Sequence, residues 1–279
     1  MYIFSEWPFD HGTSLESITT SFVEFARLLA KAFEGLNNLE CVIIGGPNSA
    51  YLCTPPPIAE KAAKQCRQTW AMRTVDLVLD AFAISNITPC TFIVYPTIKG
   101  ERGCLPVWAL DTTRQRVPQA LNRTFTSLRQ LDIRGLTPEL LPATVNQTDF
   151  PSKATNILGD FLSSCSNLEY LVLEAEPCTV IPRSEYHFFP SEVRLPKLQT
   201  IHLAGWTIEA EHLRSFLGAH SATVIHLTLT VMSLDEGEWY SILADFMSDE
   251  LYPGLSILEI LILNCIQINV PLELSLIHI

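Results

Sequence analysis

The sequence predicts an α/β solenoid whose parallel strands line a concave face while helices cover the convex one. Three observations carry that prediction. A strand-like phrase patterned L-x-x-L-x-L returns along the chain, and an amphipathic helical stretch stands between most of its copies. Parallel neighbours in one sheet also need a crossover, which a helix supplies. A single helix–strand unit cannot bury its apolar stripe alone, so about seven such units must stack.

Taken in order, Phe22, Phe25, Leu29 and Phe33 recur at helical spacing, with Gly35 at the expected C-terminus. Leu39 to Ile44 fits the strand phrase, and Tyr51 to Pro57, with three consecutive prolines, reads as a loop. Val75, Val78, Leu79 and Phe82 form a second helical stripe, after which Pro89 to Val94 fits the strand phrase poorly. Gly100 to Pro118 reads as a long rim connection. The clearest phrases begin at Leu128, Leu168, Leu198, Val224 and Leu258, at separations of 40, 30, 26 and 34 residues. Between them fall the stripes of Ile157, Leu158, Phe161 and Leu162, of Leu213, Phe216 and Leu217, and of Trp239, Ile242, Leu243 and Phe246. Ser152 and Asp235 stand where N-caps are expected, Gly218 stands near a C-terminus, and Pro177 to Pro196 reads as a second rim connection. The organisation is one domain over residues 1–279: irregular repeats over 1–121, clearer repeats over 122–265, and a tail over 266–279 set aside as truncated or artefactual.

Composition narrows the function. Apolar residues make up 48% of the chain and charged residues 17%, which excludes a disordered tail. A net charge of -12, from 18 Lys+Arg against 30 Asp+Glu, repels phosphate backbones. The expectation is no nucleic-acid partner and no anionic membrane partner. Eight cysteines show no metal-type spacing, and several, such as Cys41, sit in apolar runs. They read as reduced core thiols of a cytoplasmic or nuclear protein. No signal peptide is visible at the start, and apolar runs fall short of the roughly 18 residues of a membrane span.

From Leu195 through Trp206 and Ile208 to His220 and Leu227 the chain repeats one phrase: L-P-x-L-x-x-L-x-L-x-x-W, a helix ending F-L-x-x-H, then a new strand. This resembles the leucine-rich-repeat region of fungal F-box proteins, best over residues 122–265. The resemblance implies a leucine-rich-repeat-like solenoid that recruits a target protein. It also implies a cullin-ligase adaptor as a further partner, reached only through an F-box, and no F-box pattern occurs in this chain. The alternative is a leucine-rich-repeat scaffold unrelated to ubiquitination. The usual Asn or Cys ladder is replaced at Leu136, Glu176, Trp206, Met232 and Ile266.

No catalytic motif, cofactor-binding motif or metal-ligand set is found. Gly45 to Ser49 lacks the lysine and helix start of a phosphate loop, and His212 and His220 lack further ligands for zinc. Candidate binding residues come instead from strand alternation. The second and third Leu of each phrase point into the core, and their neighbours line the concave face. That row reads Gln130, Asp132 and Arg134, then Tyr170, Val172 and Glu174, then Thr200, His202 and Ala204, then His226, Thr228 and Thr230. Protein contact is assigned to Gln130, Asp132, Arg134, Tyr170, Glu174, Thr200, His202, His226 and Thr228. The same rule predicts one buried line through Leu131, Leu171, Ile201, Leu227 and Leu261, with Ile260 and Ile262 on the concave side.

Overall fold

The computed structural model describes residues 2–3, 15–36, 38–45, 60–95, 105–111, 118–137, 150–175, 189–234, 239–246, 248, 250–262 and 277–278. The chain opens with β1 (Tyr2–Ile3), α1 (Leu15–Glu34), β2 (Cys41–Gly45), α2 (Glu60–Ser85) and β3 (Thr91–Tyr95). The short β4 (Leu105–Pro106) leads into a 3-10 turn at Val107–Leu110 and then α3 (Pro118–Ser127), β5 (Gln130–Thr137), α4 (Phe150–Ser164) and β6 (Tyr170–Ala175). Next come β7 (Thr200–Ala204), β8 (Thr207–Ile208), α5 (Ala210–His220), β9 (His226–Leu234), α6 (Trp239–Phe246), β10 (Ile257–Ile262) and β11 (Ile277–His278).

The main sheet follows chain order, β1-β2-β3-β5-β6-β7-β9-β10-β11. Every neighbouring pair is parallel except the last, where β11 runs antiparallel to β10. The small strands β4 and β8 extend the ends of β5 and β9.

In-register pairing stacks the inward residues in two columns. One runs Val42, Phe92, Leu131, Leu171, Ile201, Leu227, Leu258; the other runs Ile44, Val94, Ile133, Leu173, Leu203, Leu229, Ile260. Apart from the partly buried Leu258, all are at most 6% exposed. The stripes of α2, α4, α5 and α6 join these columns in one core, so the helices layer one face of the sheet. In the first expected stripe Phe33 is buried and Leu29 partly so, but Phe25 is 48% exposed, the small Ala26 and Ala30 taking the inward positions of α1. Aromatic rings tie the core together: Phe82 of α2 lies 5.7 Å from Phe92 of β3, bridging helix and sheet, and Phe125 of α3 lies 4.9 Å from Phe161 of α4, joining neighbouring helices. Such edge-on pairs add about 0.5–1.5 kcal/mol each beyond area burial.

A second periodic feature lies just before each strand. One carbonyl accepts two successive N–H groups from the next unit: Glu40 from Cys90 and Thr91, Cys90 from Arg129 and Gln130, Arg129 from Glu169 and Tyr170. Glu169, Gln199 and Ile225 repeat the pattern. The strand at Pro89–Val94, a poor match to the phrase, is therefore a full member of the stack.

Several expectations are corrected. Leu261 pairs with Thr230, not with Leu227, so the buried line continues through Leu258. The operative phrase is Leu255, Leu258, Ile260, three residues earlier than expected. It puts Ile260 in the core rather than on the outward face. Gly100 to Pro118 is not simply a rim loop, because Leu105, Val107, Ala109 and Leu110 are fully buried. Likewise Phe189, Val193 and Leu195 within Pro177 to Pro196 enter the core, Phe189 packing 5.2 Å from Trp206 and 5.0 Å from Phe216. They supply apolar cover between β6 and β7, where no helix is seen among the described residues. Ser152 lies inside α4 rather than capping it. Asp235, Tyr51 to Pro57, Glu176, Ile266 and most of the tail fall outside the described residues.

The ladder position is filled by bulk. Leu136, Trp206 and Met232 are buried, and the Trp206 Nε1–H donates to the Leu173 carbonyl at 2.9 Å. Each follows a residue with positive φ: Gly135 at 69°, Gly205 at 73° and Val231 at 53°. At Gly135 and Val231 the strand carries one more residue than its neighbour, a bulge.

Candidate functional site

Alternation leaves the opposite face of the sheet to the odd-numbered or even-numbered partners of the core columns. All nine predicted residues fall on that outward face. One row reads Cys41, Thr91, Gln130, Tyr170, Thr200, His226, Ile257; the next reads Ile43, Ile93, Asp132, Val172, His202, Thr228, Glu259. A third joins Glu174, Ala204 and Thr230, with Gly45 beside Tyr95 on the other side. The bulge at Gly135 takes Arg134 out of this regular pairing.

The face is not uniformly solvated. Asp132 is 4% exposed because two neighbours close over it. The Tyr95 hydroxyl donates to its Oδ2 at 2.8 Å, and Arg134 grips both carboxylate oxygens through Nε at 3.0 Å and a terminal nitrogen at 3.1 Å. The Arg134 guanidinium also lies 4.8 Å from the Tyr95 ring centroid. Burial, and then the bond to Asp132, push the Tyr95 phenol up to about 12, so it stays a donor. The bond to Asp132 likewise raises the Arg134 pKa. Val172 is 1% exposed beside this cluster, while Tyr170 is 37% exposed.

Further along the face, His202 Nε2 lies 2.8 Å from Thr230 Oγ1. Burial lowers the His202 pKa, and the Arg134 charge lowers it further, against the opposing pull of Asp132, Glu174 and Glu259. The ring is therefore neutral at neutral pH. The Thr228 hydroxyl donates to Glu259 Oε2 at 3.2 Å and lies 3.4 Å from His226 Nε2. Gln130 and Thr200 sit in the first row, half-buried.

Sequence reasoning missed Tyr95, Ile93, Thr91 and Glu259. Tyr95 escaped because its strand opens with Pro89 instead of Leu. The alternation of Phe92 and Val94 with Thr91, Ile93 and Tyr95 is the signal that marks it. Glu259 escaped through the three-residue slip in β10. Cys41, expected in the core, is half-buried on the outward face. Cys165 is a core thiol, its pKa pushed up to about 12 chiefly by burial.

The histidines weighed for zinc separate. His212 lies 3.6 Å from Glu209 at the surface. His220 is 2% exposed, accepts the Leu195 N–H at 2.9 Å through Nε2, and donates from Nδ1 to the Phe216 carbonyl at 2.6 Å. Among the described residues no three His, Cys, Asp or Glu side chains are grouped to hold a metal ion, and no helix is long and apolar enough to cross a membrane. A recess of about 630 Å³ at the strand-entry edge, lined by Glu40, Asn86, Cys90 and Arg129 among others, contains none of the nine residues. No protein-family model, curated protein or solved structure matches the chain.

Proposed function

We propose that the chain is a leucine-rich-repeat-like solenoid that binds a target protein on the outward face of its sheet. In this proposal it serves as the recognition region of an F-box-type ubiquitin-ligase subunit and performs no chemistry of its own. The helix-on-sheet layering supports the shape. Helices pack about 8–10 Å apart and strands about 4.8 Å apart, so stacking one layer on the other closes the strand side into a concavity. The observation that carries the binding role is the cluster of Tyr95, Asp132 and Arg134 beside Tyr170. Bonds and ring contact lock the Arg134 side chain in advance, so little rotamer freedom remains to be lost on association. Tyr and Arg are the residue types that dominate interface energetics. The ubiquitin link rests on the repeat phrase around Leu195 to Leu227.

The test is affinity capture with the wild-type chain and two variants. One changes Tyr170, His202 and His226 to Ala; the other is Arg134→Ala. Both are expected to keep their fold and lose the captured partner. Unchanged capture moves the site off this face. Extending the transcript in the 5′ direction tests the ubiquitin assignment: an F-box upstream supports it, and its absence favours a repeat scaffold.

A further inference from the structure

Cys41 opens β2, and Cys90 stands one residue before β3. The Glu40 carbonyl accepts the N–H groups of both Cys90 and Thr91, each at 2.9 Å. Two successive N–H groups aimed at one oxygen interrupt the strand alternation, as in a bulge, so Cys90 and Thr91 need not face opposite sides. Their side chains meet accordingly. Cys90 Sγ lies 4.0 Å from Thr91 Oγ1 and donates to the Glu40 carbonyl at 3.2 Å, leaning toward β2. Thr91 is the register partner of Cys41 on the outward face. Cys41, Thr91 and Cys90 therefore gather at the entry corner of β2 and β3, with both thiols half-buried.

Neighbouring strands lie about 4.8 Å apart, and the offset of one residue adds about 3.3 Å along the chain, which puts the two Cα atoms about 6 Å apart. Disulfides span about 4.4–6.8 Å between Cα atoms. We propose that Cys41 and Cys90 are a redox pair that closes to a disulfide when the chain meets a peroxide. Cys90 lines the recess of about 630 Å³ at this edge, which gives a small oxidant a path to its sulfur. Burial raises the Cys41 pKa, and a Cys90 thiolate nearby raises it further, so Cys41 is protonated at neutral pH and reacts second. In the first step the Cys90 sulfur attacks one oxygen of hydrogen peroxide. The O–O bond breaks, Cys90 becomes a sulfenic acid, and the departing oxygen leaves as water with the thiol proton. In the second the Cys41 sulfur attacks the sulfenic sulfur. The S–S bond forms, the S–O bond breaks, and the hydroxyl leaves as water with the Cys41 proton. Two electrons pass from the two thiols to one peroxide. Cys165 takes no part, because it is fully buried and its pKa is pushed up to about 12. In a reducing compartment such a bond is transient, the behaviour of a redox sensor.

The experiment treats the reduced full chain with a small excess of hydrogen peroxide, blocks the remaining thiols with N-ethylmaleimide and sequences the unreduced tryptic peptides by tandem mass spectrometry. The expected product is a peptide pair linked through Cys41 and Cys90, released by dithiothreitol, with Cys165 carrying no link. In Cys41→Ser the Cys90 sulfenic acid has lost its resolving thiol, so its labelling by dimedone should rise at least about fivefold. In Cys90→Ser, Cys41 should stay reduced at the same dose. Linkage of Cys90 to any other cysteine overturns the inference. So does sulfinic acid at Cys90 without linkage, or a chain whose Cys90 stays reduced throughout. The wild-type peptide map requires no variant, so a misfolded Ser variant cannot hide a failure. Each of these outcomes leaves the proposed binding role of the outward face standing.

Discussion

Replacing Gly205 by Ala probes the corner that turns each strand toward its buried ladder residue. Gly205 has φ 73° and donates its N–H to the Thr230 carbonyl at 3.0 Å, while the next residue, Trp206, enters the core. A Cβ added here would stand 2.2 Å from the Ala175 carbonyl oxygen and 3.3 Å from its carbon. Those atoms are backbone at the end of β6, so relief requires moving a strand rather than rotating a side chain. The left-handed conformation itself costs alanine about 1–2 kcal/mol. Overpacking that shifts backbone adds about 1–3 kcal/mol. The expected loss is thus about 2–5 kcal/mol. At about 2–3 °C per kcal/mol for a chain of this size, the melting temperature should fall by about 4–15 °C. Urea unfolding followed by tryptophan fluorescence should show a lower midpoint with an unchanged slope. Gly218→Ala is the matched control. Its Cβ meets nothing within 4 Å, in the last turn of a helix, so it should gain up to about 1 kcal/mol. If Gly205→Ala melts within about 1 °C of wild type, or the two variants behave alike, the corner geometry is wrong.

Leu171→Ala should cost about 2–5 kcal/mol in urea unfolding, because a fully buried side chain in the central column leaves a cavity. Asp132→Ala should cost about 1–3 kcal/mol, discounted for the partial exposure of Arg134, and should restore mobility to the Tyr95 ring by NMR. The buried, neutral His220 makes stability depend on pH. Burial lowers its folded pKa, so the unfolded chain takes up a proton first. Its contribution is complete above an unfolded pKa of about 6.5 and is lost as pH falls through the folded value. His202 acts in the same direction, so the double variant His202→Gln, His220→Gln should flatten the drop in urea midpoint between about pH 7.5 and 5.5. Val231→Gly should stabilise by up to about 1 kcal/mol, since a β-branched residue at φ 53° is strained, and a loss would refute that strain.

Strand alternation is a local signal, and it sufficed to place Leu131, Leu171, Ile201 and Leu227 in one buried line and all nine candidate residues on one face. The stripes of α2, α4, α5 and α6 were legible for the same reason, because a side chain's direction in a helix or strand follows from its own backbone. In α1 the phase was misplaced, since Phe25 is exposed and the small Ala26 and Ala30 face the core. The sequence by itself could not choose the register of β10. Leu258, Leu261 and Leu263 satisfy the repeated phrase as well as Leu255, Leu258 and Ile260 do, and a slip by an odd number of residues exchanges the faces. The choice is made by a neighbour: the Ile225 carbonyl takes the N–H groups of Ser256 and Ile257 and fixes the pairing with β9. The burial of Leu105 to Leu110 is likewise decided by distant partners, since six residues carry no period long enough to mark a core segment. At the face, Tyr95 and Asp132 are 37 residues apart and come into contact only because β3 and β5 are neighbours in the sheet. Composition and period set the elements and the side each residue faces; which elements meet, and so which side chains meet on the outward face, was decided by pairing across the sheet.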